Sequence, residues 1–267
     1  MNLPPLMELL NALTPAVLCA GDAVMDVYRS DFQVQAKGDE SPVTAADVKA
    51  EALLVEAIER LGLGWPIVAE EAASRGEVPT VGPTFWLIDP LDGTKEFVAR
   101  NGEFTLNVGL VCNGEPVLGL VLAPAQEVLY LGATGEGAWR VQAGQPQPLQ
   151  ARAAPSEGWT VLLSRSHRDG RLLDDQLARW PVAERRHVGS SLKLCLIAAG
   201  EADLYPKLGR TMEWDTAAGD AVLRAAGGLV RTWEGHALHY GKPGFENGPF
   251  LACGPGLNPS CPPGAGS

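Results

Sequence analysis

Asp89-Pro-Leu-Asp92-Gly-Thr94 gathers two carboxylates, a glycine and a hydroxyl directly after the apolar run Phe85-Trp-Leu-Ile88. The run reads as a buried strand, and Pro90 with Gly93 is expected to stop it. Acids just past a strand's C-terminal end sit where open α/β sheets place their ligands. Two such neighbours repel unless a cation lies between them, and a divalent metal with oxygen ligands is the usual answer. Gly93 lets the backbone approach a ligand and Thr94 adds a hydroxyl beside it. The segment reads as a metal-dependent phosphate site.

Other acids stand at comparable junctions. Glu70-Glu71 follows a short strand expected over 66–69, and Asp215 precedes a helix expected over 216–226. Carboxylates at such ends can converge on one sheet edge, where Mg2+ takes a few of them together with substrate phosphate. A metal pair would clamp the attacking and leaving oxygens of an in-line displacement. Each acid also has a plainer reading: Asp89 before proline as a turn residue, Asp215 as a helix N-cap, Asp47 as a first-turn residue of a helix capped by Thr44. Gly189-Ser190-Ser191-Leu-Lys193 opens a helix expected over 191–199, and its amides, hydroxyls and ammonium suit an anion. Ser164-Arg-Ser-His167-Arg168 follows a strand and is a candidate for a second phosphate; a Ser cap and a solvated loop are the plain alternatives.

The elements that must position these groups alternate along the chain. Apolar spacing over 5–29 predicts a helix that Pro15 breaks or kinks. Residues 31–40 read as a loop or flap. Val48, Ala52, Val55, Ile58 and Leu61 predict the apolar face of a second helix ended by Gly62. Strands are expected over 107–112, 117–122 and 128–131, the first two joined at Asn113-Gly114. Residues 143–157, rich in Gln, Ala and Pro, mark the candidate boundary between a first half, 1–150, and a second, 151–253. There a strand over 160–163, a helix over 172–180, and strands over 202–205 and 229–232 follow. Residues 254–267 read as a disordered tail.

The chain has 267 residues and a net charge of -11, which disfavours nucleic acid as a partner because no broad basic face is available. An acidic protein that binds phosphate must supply local positive charge, from metals and placed lysines. No Lys or Arg precedes Arg29, so no secretory leader is expected, and no apolar run is read as membrane-spanning. The scattered Cys19, Cys112, Cys195, Cys253 and Cys261 suit reduced thiols in a cytoplasm. Peripheral association with the inner membrane is left open.

Glu70-Glu71, Asp89-Pro-Leu-Asp92-Gly-Thr94 and Trp214-Asp215-Thr-Ala-Ala-Gly219, in this order and spacing, resemble the signatures of the inositol monophosphatase-like family of lithium-sensitive, magnesium-dependent phosphatases. The likeness runs over about 5–252. Within the family it is strongest to the CysQ-type 3′(2′),5′-bisphosphate nucleotidases, carried by Ser41-Pro-Val-Thr-Ala-Ala-Asp47, Asp92-Gly-Thr-Lys-Glu-Phe97, Arg100-Asn-Gly-Glu-Phe-Thr105, Ser164-Arg-Ser-His167, Gly189-Ser-Ser-Leu-Lys193 and Leu204-Tyr-Pro-Lys207. The resemblance implies a layered α/β/α/β/α sandwich of the inositol monophosphatase and fructose bisphosphatase type, with the site between its halves. It implies removal of the 3′-phosphate of 3′-phosphoadenosine 5′-phosphate (PAP) or its sulfated analogue by activated water, about two or three Mg2+ ions, and inhibition by Li+.

By the same resemblance Glu70, Asp89 and the Leu91 carbonyl hold one metal, and Asp89, Asp92 and Asp215 another. Glu70 and Thr94, backed by Asp47, orient and deprotonate the water. Gly93, Thr94 and Asp215 touch the phosphate or sugar, while Ser190, Lys193, His167 and Lys207 hold the nucleotide and its 5′-phosphate. Lys207 stands where relatives often carry Arg, giving up bidentate geometry. Glu213 is a departure that an altered sugar or polyol preference would explain. A small-molecule phosphate is the expected partner, with no obligate protein partner. A polyol monophosphatase is the alternative within the family, and a non-catalytic PAP sensor the alternative outside enzymes.

Overall fold

The computed structural model describes residues 3–30, 42–165 and 170–257, with backbone alone at 42–44 and 170–172. The chain opens with helices α1 (Leu6–Arg29) and α2 (Pro42–Glu59), then strand β1 (Ile67–Ala69), helix α3 (Glu70–Ser74), strand β2 (Thr84–Asp92) and helix α4 (Thr94–Val98). Strands β3 (Thr105–Cys112), β4 (Glu115–Ala123), β5 (Val128–Ala133), β6 (Gly137–Gln142) and β7 (Gln145–Pro148) follow as a meander. The remainder runs β8 (Trp159–Ser164), α5 (Gly170–Leu177), β9 (Val182–Val188), α6 (Leu192–Ala198), β10 (Leu204–Lys207) and β11 (Thr211–Met212). Helix α7 (Glu213–Ala225) then leads to β12 (Leu229–Thr232), β13 (Glu246–Asn247) and β14 (Phe250–Cys253).

Strands β1 to β7 form one sheet in chain order, parallel at β1–β2 and antiparallel from there on. A second sheet has the order β12-β14-β10-β8-β9. Alternating side chains divide the core between the two faces of the first sheet. Trp86, Ile88, Leu118 and Leu120 pack with α1 and α2, while Phe85, Leu87, Val121 and Ala123 pack with α6, α7 and the inner face of the second sheet. Leu173 and Leu177 of α5 cover that sheet's far face, against Val161, Leu204 and Leu251. The layers are therefore α/β/α/β/α, as the resemblance implies.

One contact sets the spacing of the middle layer. Gly109, Gly119 and Gly132 pair in register across β3, β4 and β5. A Cβ on Gly119 would stand 2.1 Å from the Ala218 carbonyl oxygen, and one on Gly132 2.6 Å from Val222 Cα. Helix α7 thus lies directly on the sheet, with its own small residues, Ala217, Ala218 and Ala221, turned inward.

Several expectations are corrected. Helix α1 runs through Pro15 unbroken, because Asn11, whose carbonyl loses its partner there, lies on the exposed side with Pro15. By length and composition α1 is also apolar enough to cross a membrane, although its Leu10, Leu13, Val17 and Val24 stripe is spent in the core. Helix α2 starts at Pro42, which places Thr44 inside it and not at its cap. Its buried face is Ala46, Asp47, Ala50, Glu51, Leu54 and Ile58, whereas Val48 is 43% exposed. Strand β2 continues through Pro90 to Asp92. Strands β7 and β9 carry no apolar alternation and escape a periodicity reading: β7 is exposed throughout, and β9 is a charged edge strand. Residues 254–257 belong to the fold, with Leu257 buried and its carbonyl accepting from Arg231. The expected flap over 31–40 and the rest of the expected tail fall outside the described residues.

Candidate active site

A regular strand would send Asp89 and Asp92, three residues apart, to opposite faces. The register of β2 against β3 shifts between these two residues, and this bulge turns both into one cavity of about 310 Å³. Gly93 follows in the left-handed region, with φ of 95°, and swings the chain into α4 so that Thr94 lines the same wall. Strand β1, parallel to β2, ends at Ala69 opposite Ile88, one residue before Asp89, and delivers Glu70 as the first residue of α3. From above, α7 brings Asp215. This residue lies in the helix's first turn, not ahead of it, and its Oδ2 accepts the Met212 N–H at 2.8 Å. Glu70, Asp89, Leu91, Asp92 and Asp215 all line the cavity.

Burial and mutual repulsion show in their acidities. Burial, then the charges of Glu70, Asp92 and Asp215, pushes Asp89 well above the carboxylate range. Burial raises Glu70 to about 7, although a hydrogen bond shared with Asp89 works against it. Asp215 rises to about 8 through burial and Asp92. Burial lifts Asp92 only to about 6, because Lys193 and the Ser191 N–H favour its charge. Four crowded acids with a deficit of positive charge, plus a carbonyl at Leu91, form an all-oxygen donor set that suits Mg2+. One oxygen of each aspartate is held by a backbone amide: Asp89 by Leu91, Asp92 by Ser191, Asp215 by Met212. Among the described residues no three carboxylates converge as a closed ligand set.

Cations share the cavity with the acids, and Lys193 and Lys207 both favour the charge of Asp92. Lys193 and Lys207, each 3% exposed, line the cavity together with Ser190. The Lys193 ammonium donates to the carbonyls of Val188, at 3.1 Å, and Ser190, and lies 5.0 Å over the Tyr205 ring. Burial lowers its pKa to about 8.

The model of the inositol monophosphatase family matches residues 6–254. The chain belongs to the inositol monophosphatase family. It is 44% identical to the 3′(2′),5′-bisphosphate nucleotidase CysQ of Escherichia coli K12 over 223 residues, 83% of this chain and 89% of that protein. It is 37% identical to CysQ of Buchnera aphidicola over 251 residues, 92% and 93% of the two. The crystal structure of CysQ from Bacteroides thetaiotaomicron superposes with a TM-score of 0.79 at 33% identity, covering 91% of this chain and 96% of that one.

Against the site expected of an inositol monophosphatase family member, most residues come together and some do not. Gly93, Thr94, Ser190, Lys193, Lys207 and Asp215 line the cavity with the other acids expected to hold metal, and His167 and Arg168 lie outside the described residues. Asp47 does not line it. Asp47 is buried beside Glu71, Glu70 and Glu51, and burial raises its pKa to about 8. Its Oδ1 has no hydrogen-bond partner, so the expected backing of Thr94 is not made through that atom. Glu213 is fully buried away from the cavity. Its carboxylate accepts the amides of Gly241 and Lys242 and pairs with the Lys242 ammonium at 2.6 Å, which makes it a clamp on that loop and not a sugar contact.

Three supports were not read from the sequence. Ser191, expected as part of an anion site or as a plain cap, instead anchors its loop through Oγ to Thr105 at 2.8 Å and Asn107 at 2.7 Å. Glu103 holds the Arg165 guanidinium with two bonds of 2.7 Å and accepts the Gly189 N–H at 2.8 Å, tying the segment before β3 to those after β8 and β9 at the cavity's edge. Glu51 accepts the amides of Glu71 and Ala72. Ser191 and Glu103 lie within segments that carry the family resemblance, but their bonds across the fold were not legible there, and Glu51 was not singled out.

Proposed function

We propose that this chain is a magnesium-dependent 3′(2′),5′-bisphosphate nucleotidase that removes the 3′-phosphate of PAP to give AMP. The observation that carries the reading is one cavity with an acid wall, Glu70, Asp89, Asp92 and Asp215, and a buried cationic wall, Lys193 and Lys207. A phosphomonoester needs only the first wall; a bisphosphate needs both. The likeness to proteins named bisphosphate nucleotidases supports the same substrate class.

In this reading Glu70, Asp89, Asp92, Asp215 and the Leu91 carbonyl would hold Mg2+. Bound there, Mg2+ neutralises the acids, polarises phosphate and lowers the pKa of water. Glu70 takes the proton of the attacking water, and the Thr94 hydroxyl, at the start of α4, orients that water on the phosphorus. Gly93 leaves room for the phosphate oxygens, since its φ of 95° excludes most side chains. Asp215 accepts from the ribose hydroxyl. Ser190, Lys193 and Lys207 bind the 5′-phosphate and so fix which phosphate meets the acids. The halves 1–150 and 151–253 close on the substrate. The free thiols of Cys19, Cys112, Cys195 and Cys253 support a reducing, cytoplasmic setting.

The test is phosphate release from PAP, inositol 1-phosphate and fructose 1,6-bisphosphate with Mg2+, with and without Li+. Preference for PAP with inhibition by Li+ is expected. Preference for inositol 1-phosphate would keep the metal wall and discard the cationic one as a phosphate site. Release from none of them would leave a PAP sensor.

A further inference from the structure

Helix α3, which presents Glu70, has only five residues and could not hold itself together. Its N-cap residue, Ala69, has no side chain able to accept from the first turn, and no side-chain cap bond is made there. The cap comes from another helix. Glu51 of α2, 5% exposed, places Oε2 2.7 Å from the Glu71 amide and Oε1 3.0 Å from the Ala72 amide. Arg75, at the other end of α3, brings its guanidinium to 3.7 Å from the same Oε1. Both oxygens of one buried carboxylate are thus committed to α3, and the residue they leave projecting into the cavity is Glu70.

We propose that Glu51 is the positioning residue for Glu70, fixing the first turn of α3 so that the Glu70 carboxylate meets Asp89 at the metal wall. This rests on the reading of Glu70 as a metal ligand. A buried acid facing other acids is unfavourable unless it is bonded, and two amide donors at a helix N-terminus supply that bonding. It also explains why α2 turns Asp47 and Glu51 inward in place of Val48: the helix face is chosen by what α3 needs.

The test is calorimetric titration of Mg2+ and Mn2+ into the full chain, paired with PAP kinetics at saturating Mg2+. Outer partners of metal ligands typically matter by about 10- to 100-fold in affinity. Glu51→Gln, which keeps the volume but presents one acceptor in place of two, is expected to weaken metal binding about tenfold while KM for PAP stays within about twofold. Glu51→Asp, too short to reach both amides, should behave alike, and Arg75→Ala should leave metal binding unchanged. Wild-type metal affinity in Glu51→Gln, with uptake abolished by Glu70→Gln, would overturn this inference alone. A wild-type chain that takes up neither ion would overturn it together with the metal reading. Loss of fold in both Glu51 variants would overturn it by making Glu51 a residue of general stability.

Discussion

Asp89 stands at the centre of the acid wall, with Glu70, Asp92 and Asp215 all raising its pKa after burial has done so. One residue therefore bears both the repulsion of the empty cluster and the attraction of a filled one. Asp89→Asn keeps the shape and an oxygen for the Leu91 amide, so the chain should stay folded. Turnover should fall by roughly a thousandfold or more, the loss of several kcal/mol of transition-state stabilisation. The same variant should melt higher than wild type in EDTA, because folding no longer has to take up a proton or bury a charge at this position. Wild-type turnover would sink the metal assignment. Lys193 is the counterpart on the cationic wall. A charge-assisted hydrogen bond contributes about 1.5–3 kcal/mol, so Lys193→Ala should raise KM for PAP by about 10- to 100-fold and that for a monophosphate by under about threefold. Equal changes for both substrates would remove its role at the second phosphate.

Asp215 reaches the acid wall only because α7 lies flat on β3, β4 and β5 over glycines. Gly119→Ala would set a methyl group 2.1 Å from a backbone oxygen that cannot swing aside. The helix must lift, at a cost of about 1–3 kcal/mol in urea unfolding, and turnover should fall with it as Asp215 withdraws. Full stability and full rate in this variant would show that α7 is not seated by that contact. The stripe also marks where sequence reading stops. Strands β3 and β4 were legible as apolar runs around Asn113-Gly114, but three glycines in different strands mean nothing until register aligns them. Helix α2 was legible as a helix and misread as to face, since Asp47 and Glu51 point inward, Glu51 to accept the first amides of α3. Glu70, Asp89, Asp92 and Asp215, which line the cavity, could be picked out because each stands at or within a few residues of an element's end. Their supports could not, because they depend on pairs such as Asp92 with Ser191 and Glu103 with Gly189, 99 and 86 positions apart.

Across the whole molecule, a net charge of -11 and a cavity of buried acids pose one electrostatic problem at two scales. At the surface the charge is solvated and favours solubility. In the cavity it is not solvated, and the empty protein meets it with protons. Glu70 is raised to about 7, Asp92 to about 6, Asp215 to about 8 and Asp89 well above the carboxylate range, in each case through burial first. The unfolded chain releases the same protons near about pH 4, so above that pH the folded state holds more of them. A carboxyl whose pKa is raised by folding stabilises the fold below its unfolded pKa and loses that contribution as pH rises through its folded one. In EDTA, therefore, the melting temperature should fall as pH climbs from about 5, most steeply between about 5 and 6 where the folded state holds the most extra protons, and level off above about 8. Saturating Mg2+ should raise the curve and flatten it, because the cation replaces the protons and binds only the folded wall. A melting temperature in EDTA that is flat or rising over that window would mean that the four acids are already neutralised by the protein itself. The cationic wall would then be their partner and not the substrate's, and the two-wall account of the cavity would fail as a whole.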